Sequence, residues 1–136
     1  MKEVELTADI IQKYQKYTIP QLIKKADIKF HAWIRNRDEG LGCICCGGKF
    51  NNEIQAGHYF SAGKYPGLRY NENNVHGQAK TCNYYKSGNL IEYRIYLIKK
   101  IGISKVEELE LLAAQFKHTG FKWDRYSLIS IIMKYK

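Results

Sequence analysis

Within one segment of the chain, residues 43–83, lie His58, Asn74, Asn83 and the four cysteines, whose side chains are suited to metal-assisted hydrolysis. His58 can act as a general base, and Asn74 can hold that histidine in place through a hydrogen bond. Asn83 can offer a neutral amide oxygen to a hard cation such as Mg²⁺ or Mn²⁺. These residue types, in this order, are what a compact nuclease site needs.

The cysteines around that segment have the spacing of a zinc site. Cys43 and Cys46 form a C-x-x-C-G-G knuckle, in which the glycines permit a turn that brings backbone N–H groups to the sulfurs, and Cys82 supplies a third thiolate. A second C-x-x-C would begin at Ala79, so the fourth ligand is missing there. The candidates left open for the fourth position are His76, Cys45 and water. The alternative interpretation is that the cysteines are buried thiols without a metal.

A long helix is predicted before the cysteines. Thr18 and Gln21 form a capping box with Pro20 in the first turn, and apolar residues then recur at helical spacing over residues 19–38. The other face of this helix is basic and carries Lys24, Lys25, Lys29, Arg35 and Arg37. That face is either solvated or follows a phosphate backbone.

The middle of the chain predicts a strand followed by a loop. Residues 50–60 have an extended pattern, so His58 falls at the end of a strand, whereas residues 61–73 are rich in Gly, Pro and Asn, as in a loop. With helices on both sides, the chain is predicted to be one α+β domain, 1–136. Its parts are the helix at 19–38, the core at 41–101 and the C-terminal helices at 104–136.

A helix that begins after Thr81 is predicted to break at residues 87–89. Asn89 and Glu92, three residues apart, have the pattern of a new capping box, so a further helix is predicted over residues 90–101. Its apolar residues share one side: Leu90, Ile91, Ile95 and Ile98.

Two amphipathic helices are predicted in the last part of the chain. Ser104 with Glu107 starts the first, whose apolar stripe consists of Val106, Leu109, Leu112, Ala113 and Phe116. Asp124 caps the second, whose apolar stripe consists of Leu128, Ile129, Ile132 and Met133. This last stripe is either core or a dimer contact.

Composition favours a small intracellular domain that binds a polyanion. The 136 residues include 22 Lys and Arg against 13 Asp and Glu, a formal charge of +9, with eleven Tyr and two Trp. Together these favour nucleic acid as the partner. The crowded CICC run argues against a disulfide framework and for a reducing compartment. No signal-peptide pattern, membrane-spanning apolar run or repeat is evident, so a soluble cytoplasmic protein without a membrane partner is expected.

The order of residues also resembles a known family. The run RD(x)4CxxCG, followed by GH, NNV, CN and K, resembles the HNH branch of the ββα-metal (His-Me finger) nucleases. More closely, AGHYFSAGKYPGLRYNENNVHGQ and CNYYKSGNLIEYRIYLIKKIG resemble the NinG/Rap recombination endonuclease family of lambdoid phages, over about residues 30–102. A more distant similarity is to phage endonuclease VII, in which an asparagine directly follows the last zinc cysteine, as Asn83 follows Cys82 here.

The resemblance implies a phage-encoded, structure-selective DNA endonuclease that acts on branched recombination intermediates, such as D-loops and Holliday junctions. It implies an HNH-like core with a zinc-knuckle hairpin, a catalytic Mg²⁺ or Mn²⁺ at Asn83, a structural Zn²⁺, and phage recombination proteins as partners in the host cytoplasm. Two symmetric cuts across a four-way junction would suit a homodimer. Arg69 is the first candidate for a phosphate contact, followed by Lys86 and Lys64.

One departure from the family pattern is Gly57. Many HNH enzymes, and endonuclease VII, place a metal-binding aspartate immediately before the catalytic histidine, so Asn83 is left here as the clear protein ligand. One ligand is workable for Mg²⁺, because this ion keeps several waters and binds substrate phosphate oxygens. The competing interpretation is a non-catalytic zinc-knuckle DNA-binding protein, an accessory in recombination. In that interpretation the missing aspartate indicates that catalytic activity has been lost.

Overall fold

In chain order, helices precede and follow a small two-stranded sheet, which confirms the α+β class. The computed structural model describes residues 4–49, 54–85 and 89–136. In chain order its elements are α1 Ala8–Tyr14, α2 Ile19–Arg37, β1 Ile54–His58, a 3-10 turn at Pro66–Leu68, β2 Val75–Ala79, a π-helical turn at Thr81–Tyr85, α3 Leu90–Ile101, α4 Ile103–Thr119 and α5 Arg125–Lys134. Two compact units contain them, one formed by residues 4–33 and 122–136 and the other by residues 34–121.

The helices of the first unit begin at polar caps. Thr7 caps α1, a helix that the sequence analysis did not predict. At α2 the predicted capping box is confirmed, because the Thr18 N–H donates to Gln21 Oε1 (2.9 Å) and the Gln21 N–H donates to Thr18 Oγ1 (3.3 Å). α5 begins as predicted after Asp124, whose carboxylate accepts the N–H of Ser127 (2.8 Å). Local signals of this kind therefore set where these helices start.

Apolar stripes of α2 and α5 supply the core of the first unit. Its buried residues include Leu22, Ala26 and Phe30 from α2 and Leu128, Ile129 and Ile132 from α5. Tyr135 packs edge-on against Phe30, with 4.9 Å between the ring centroids. The predicted stripe of α5 is therefore core. No helix in the described part of the chain is both long and apolar enough to cross a membrane.

The second unit is built around an antiparallel pair of strands. β1 pairs with β2 so that Gly57 lies opposite His76 and His58 lies opposite Val75. His58 is the last residue of β1, as predicted. Residues 50–53, where the extended pattern was predicted to begin, lie outside the described residues. The loop between the strands is interrupted only by the 3-10 turn at Pro66–Leu68 among the residues that the structure describes.

The starts of α3 and α4 differ from the predictions. Asn89 has a left-handed backbone (φ 50°) and its side chain makes no capping hydrogen bond, so the predicted capping box with Glu92 is wrong. A residue that caps a helix with its side chain normally has an extended backbone, which this conformation excludes. α4 begins directly after Gly102, so Ser104 lies inside the first turn and does not cap it.

Three of the four residues on the predicted apolar side of α3 face solvent and the fourth, Ile98, packs against the core, whereas the predicted stripe of α4 is buried. Leu90, Ile91 and Ile95 are 48%, 77% and 51% exposed. The residues of α3 that enter the core are Tyr93 and Leu97, both fully buried. In α4 the predicted stripe is confirmed, because Val106, Leu109 and Ala113 are buried and Leu112 and Phe116 pack against the same core. The side of α3 that faces the core is therefore the side with Tyr93 and Leu97, and the spacing of the aliphatic residues did not indicate it.

Candidate functional site

Four cysteine thiols meet in one cluster within the second unit. The Sγ atoms of Cys43, Cys45, Cys46 and Cys82 all lie within 4.8 Å of one another. A tetrahedral zinc with Zn–S bonds of about 2.3 Å would hold four sulfurs about 3.8 Å apart. Cys46 is exposed and the other three are buried. The cluster could therefore hold a metal such as zinc, and Cys45 supplies the thiol that was left open at the fourth position.

Backbone N–H groups point at the sulfurs of this cluster. Ala79 donates to Cys43 Sγ (3.1 Å), and Gly48 donates to Cys46 Sγ (3.4 Å). Gly47 has φ 70°, so the knuckle turn requires glycine at this position. Burial by itself raises the pKa of the Cys43 thiol, but the Ala79 N–H and further donors outweigh burial and bring this pKa below its usual value. Such donors stabilise the thiolate form that binds zinc.

Burial, together with the neighbouring thiols Cys45 and Cys43, raises the pKa of Cys82. Several thiolates this close together repel one another, and a divalent cation removes that repulsion. The donor set therefore fits zinc: four soft ligands, N–H donors to two of them, and a chain turn that brings them together.

His76 takes no part in the thiol cluster. Its Nε2 donates to the carbonyl of Asn73 (2.8 Å), and its Nδ1 accepts from Lys100 Nζ (2.8 Å) and from Arg37 (3.1 Å). Both ring nitrogens are therefore used by protein groups. The interpretation of His76 as the fourth zinc ligand is wrong, because neither nitrogen is left for a metal.

A buried carboxylate balances the cations around His76. Asp38 is 1% exposed and accepts hydrogen bonds from Arg37 Nε (2.7 Å) and from the Gly77 N–H (2.7 Å), while Lys100 Nζ lies 3.0 Å from its Oδ1. Burial by itself raises the pKa of Asp38, but Arg37, Gly77 and Lys100 hold that pKa well below its usual value. Arg37 thus belongs to this network and not to a phosphate-binding face of α2.

Acid is expected to destabilise the protein through His76. Burial, followed by the charge of Lys100, lowers the pKa of His76 from 6.5 to about 3. Between these values the unfolded chain binds a proton that the folded chain does not. The free energy of unfolding should therefore fall as the pH falls from 6.5 towards 3, by up to about 1.4 kcal/mol per pH unit. Urea titrations at several pH values above and below 6 measure this slope.

The control for this prediction is His76→Asn, which keeps an oxygen acceptor near the position of Nδ1 and removes the titration. Its slope should be smaller than that of the wild type by up to one proton. Equal slopes for the wild type and His76→Asn would contradict the prediction.

A backbone carbonyl orients His58. Its Nε2 lies 3.2 Å from the carbonyl oxygen of Arg69, in the loop that follows β1. Because a carbonyl oxygen only accepts, this hydrogen bond places the ring hydrogen on Nε2 and leaves Nδ1 as the nitrogen with the lone pair in the neutral ring. The half-buried ring is thus held in the tautomer that a general base needs.

Asn74 does not contact the His58 ring, contrary to the predicted hydrogen bond. The Asn74 amide is fully buried, accepts from the Phe60 N–H (2.8 Å), and donates to the carbonyls of Phe60 (3.0 Å) and Leu68 (3.1 Å). Its donors are thereby used on the loop. Asn74 acts one step away: it holds the loop that presents the Arg69 carbonyl to His58.

Gly57, directly before His58, lies where a side chain has no room. A Cβ atom at this position would stand 2.8 Å from Gln78 Cβ and 2.9 Å from Gln78 Cδ. The Gly57 carbonyl also accepts a hydrogen bond from the Tyr93 hydroxyl (2.7 Å). An aspartate cannot be accommodated here unless Gln78 or β2 moves. The packing of the two strands therefore excludes this metal ligand.

Gly57→Ala is therefore expected to destabilise the protein by about 1–3 kcal/mol, the usual cost of overpacking a filled site. Thermal or urea unfolding measures the loss. The cost should shrink in a Gln78→Gly background, because the atoms that clash are then absent. Gly63→Ala is the matched control, since a Cβ there has no atom within 4 Å. A Gly57→Ala protein as stable as Gly63→Ala would contradict the packing argument.

Asn83 lies in the π-helical turn that follows β2, directly after Cys82. Its Nδ2 donates to Oε1 of Gln55 on β1 (2.9 Å). Gln55 could not be identified from the sequence, because a glutamine in an extended segment has no motif around it. The bond uses the nitrogen of the Asn83 amide, so its oxygen is not the atom committed to Gln55.

The candidate phosphate-binding residues differ in their surroundings. Arg69 is half-buried at the end of the 3-10 turn, and Lys64 is exposed in the same loop. Lys86 lies outside the described residues. The loop that orients His58 therefore also carries two of the three predicted cationic side chains.

Comparisons with known proteins identify a single family. The family model for "Bacteriophage Lambda NinG protein" matches residues 5–136. The chain is 47% identical over 101 residues to "Protein ninG" of Escherichia phage lambda, which covers 74% of this chain and 47% of that protein. It is 47% identical over 88 residues to "Protein ninG" of Salmonella phage P22, covering 65% and 43%. Against "Protein ninG" of Escherichia phage 933W it is 40% identical over 114 residues, covering 84% and 54%.

The chain thus spans about half the length of the curated relatives that it matches. No solved structure matches it.

Proposed function

We propose that this chain, which belongs to the NinG family of bacteriophage proteins, is a metal-dependent DNA endonuclease. It would be structure-selective and have an HNH-like ββα-metal core. The observation that carries the proposal is His58 at the end of β1, with its Nε2 on the Arg69 carbonyl. The order of parts supports it as well: thiol knuckle, strand with histidine, second strand, and a Cys82-Asn83 turn before a helix.

His58 acts as the general base in this proposal. Its Nδ1 takes a proton from a water molecule, whose oxygen attacks the scissile phosphorus in line with the departing 3′ oxygen. The new P–O bond forms as the bond to the 3′ oxygen breaks, and the leaving oxygen takes a proton from solvent. The Arg69 carbonyl keeps the ring in the required tautomer throughout, because it continues to accept the Nε2 hydrogen.

Asn83 offers its amide oxygen to the catalytic cation. A neutral oxygen suits Mg²⁺ or Mn²⁺ better than zinc, so the chemistry of the residue fits a hard cation. When bound, such an ion offsets negative charge on the phosphate and on the leaving oxygen. Among the described residues Asn83 is the clear ligand, so water and substrate phosphate would complete the coordination of such an ion, and its binding is expected to depend on DNA.

The thiol cluster has a structural role in the proposal. Cys43, Cys45 and Cys46 precede β1 and Cys82 follows β2, so a zinc held by all four joins the two ends of the hairpin. That joint sets the position of Asn83, the next residue, relative to β1. The four cysteines would thus use zinc to position the site, and hydrolysis itself would be left to His58 and the cation at Asn83.

The substrate in this proposal is branched DNA, such as a D-loop or a four-way junction. The charge of +9 favours phosphate contacts, to which Arg69 and Lys64 contribute from the loop beside His58. Phosphate contacts read geometry and not base sequence. Affinity is therefore expected to fall steeply with salt, and branched DNA should bind better than linear DNA of the same sequence at each salt concentration.

The test is cleavage of matched linear, forked and four-way DNA with Mg²⁺ or Mn²⁺, with junctions of scrambled sequence as competitors. Cuts in the branched substrates that require the metal would support the proposal. Tight binding of branched DNA without cleavage would favour the non-catalytic accessory protein instead. A preference for one sequence in linear duplex, with none for branches, would overturn the substrate assignment. Sedimentation of the junction complex would test the expected homodimer.

A further inference from the structure

A hydrogen bond between two neutral amides joins Gln55 to Asn83, the proposed ligand of the catalytic cation. Asn83 Nδ2 donates to Gln55 Oε1 over 2.9 Å, and both side chains are half-buried. Gln55 lies in β1, three residues before His58, and Asn83 follows β2. The bond therefore joins the strand that carries the base to the turn that carries the proposed metal ligand.

The direction of this bond matters because the two ends of an amide are opposite in character. The nitrogen only donates, and the oxygen only accepts. A cation binds the oxygen and is repelled by the N–H groups. An asparagine amide can turn by half a rotation about its last bond at small cost, since that torsion is broad. Without a partner, Asn83 would present its nitrogen to the cation for part of the time.

Gly57 makes this orientation more important. With no room for a carboxylate at that position, because Gln78 fills it, Asn83 is the clear protein ligand of the proposed site among the residues that the structure describes. A site with several ligands tolerates one mobile amide. A site with one ligand loses its protein contact to the ion whenever that amide turns.

We infer that Gln55 is a positioning residue for the catalytic cation: it accepts from Asn83 Nδ2 and so keeps Asn83 Oδ1 turned towards the ion. The inference rests on the proposed function, since it concerns the same cation site. Gln55 does not touch the ion or the scissile phosphate. Its loss should weaken metal binding by about 10–100-fold, as is usual for residues that orient a ligand, and cleavage should recover at saturating metal.

The experiment compares Gln55→Leu with Gln55→Glu. Leucine removes the acceptor and keeps much of the volume, whereas glutamate keeps an oxygen acceptor for Asn83 Nδ2. Mn²⁺ binding to complexes with four-way DNA is measured by the electron paramagnetic resonance signal of free Mn²⁺, with the DNA alone subtracted. The proteins carry His58→Ala so that the DNA stays intact. In proteins with His58, the Mn²⁺ concentration for half-maximal cleavage is measured in parallel.

We expect Gln55→Leu to weaken Mn²⁺ binding by about 10-fold or more, with the cleavage rate at saturating Mn²⁺ close to that of the wild type. Gln55→Glu should retain wild-type affinity within about threefold. Zinc content and melting temperature should be the same in both variants, which separates an effect on the ion from an effect on folding.

Asn83→Ala distinguishes the possible failures. If Asn83→Ala weakens Mn²⁺ binding and Gln55→Leu does not, the role of Gln55 is overturned and the proposed function stands. If neither change affects Mn²⁺ binding, the cation is not held at Asn83, and this part of the proposed function fails as well. If Gln55→Glu binds Mn²⁺ more than about tenfold tighter than the wild type, residue 55 touches the ion directly, and the positioning role is overturned.

Discussion

Replacing His58 with alanine is expected to lower the rate of DNA cleavage by about 10²–10⁴-fold, the usual contribution of a general base. Affinity for branched DNA should change little, because the imidazole acts on water and not on the phosphate backbone. Single-turnover cleavage and binding, measured on the same four-way DNA, check both parts. Cleavage by His58→Ala at the wild-type rate would remove His58 from the mechanism.

Two matched variants sharpen this result. His118→Ala removes an exposed histidine of α4 and should leave the rate unchanged. Arg69→Ala is more informative, because it removes a candidate phosphate contact but keeps the backbone carbonyl that orients His58. It should weaken DNA binding while the rate at saturating DNA stays near that of the wild type. If Arg69→Ala instead abolished cleavage of fully bound DNA, the side chain would have a role in the chemistry.

The parts of the fold that could be predicted from the sequence are those determined by near neighbours in the chain. The Thr18–Gln21 capping box and the Asp124 cap each depend on residues three apart, and both are present. The stripe of α4 is also local, since its spacing of three and four residues places it on one side. His58 at the end of a strand followed from an extended pattern that stops at a glycine-rich loop.

The parts that could not be predicted depend on backbone atoms or on distant partners. His58 is oriented by the carbonyl of Arg69, and every residue type has such a carbonyl, so no pattern of side chains reveals it. Asn74 was the natural candidate from its type alone, but its amide is used on the loop. His76 seemed available to zinc only because its partner Lys100 is 24 residues away along the chain.

The fourth thiol of the cluster also could not be identified from residue spacing alone. A second C-x-x-C that ended at Cys82 would begin at residue 79, which is an alanine, so the spacing indicated that one ligand was missing. The left-handed turn at Gly47 folds the knuckle so that Cys45, as well as Cys43 and Cys46, reaches the sulfur of Cys82. A substitute ligand within the first knuckle was one of three alternatives in the sequence, and the position of the Cys45 thiol within the cluster favours it.

A zinc held by the four cysteines of the proposed cluster is expected to be required for folding of the second unit. A structural zinc contributes about 10–16 kcal/mol in zinc-finger peptides, comparable with the whole stability of a typical domain, about 5–15 kcal/mol. Purified protein should therefore contain about one zinc per chain, and chelation should lower its melting temperature markedly. Protein that contains no zinc, and whose melting temperature does not respond to a chelator, would show that the thiols are merely buried.

Cys45→Ser tests whether Cys45 is the fourth ligand. It should lose zinc and stability about as severely as Cys43→Ser, whereas His76→Asn should keep one zinc per chain, because His76 lies outside the cluster.

The decisive variant is Cys45→Ser with Ala79→Cys. Residue 79 adjoins the cluster, since its N–H donates to Cys43 Sγ (3.1 Å), so a cysteine there restores four thiols through a second C-x-x-C with Cys82. Zinc content and melting temperature should return towards wild type in the double variant. A Cys45→Ser protein that retains its zinc would instead assign the fourth position to water.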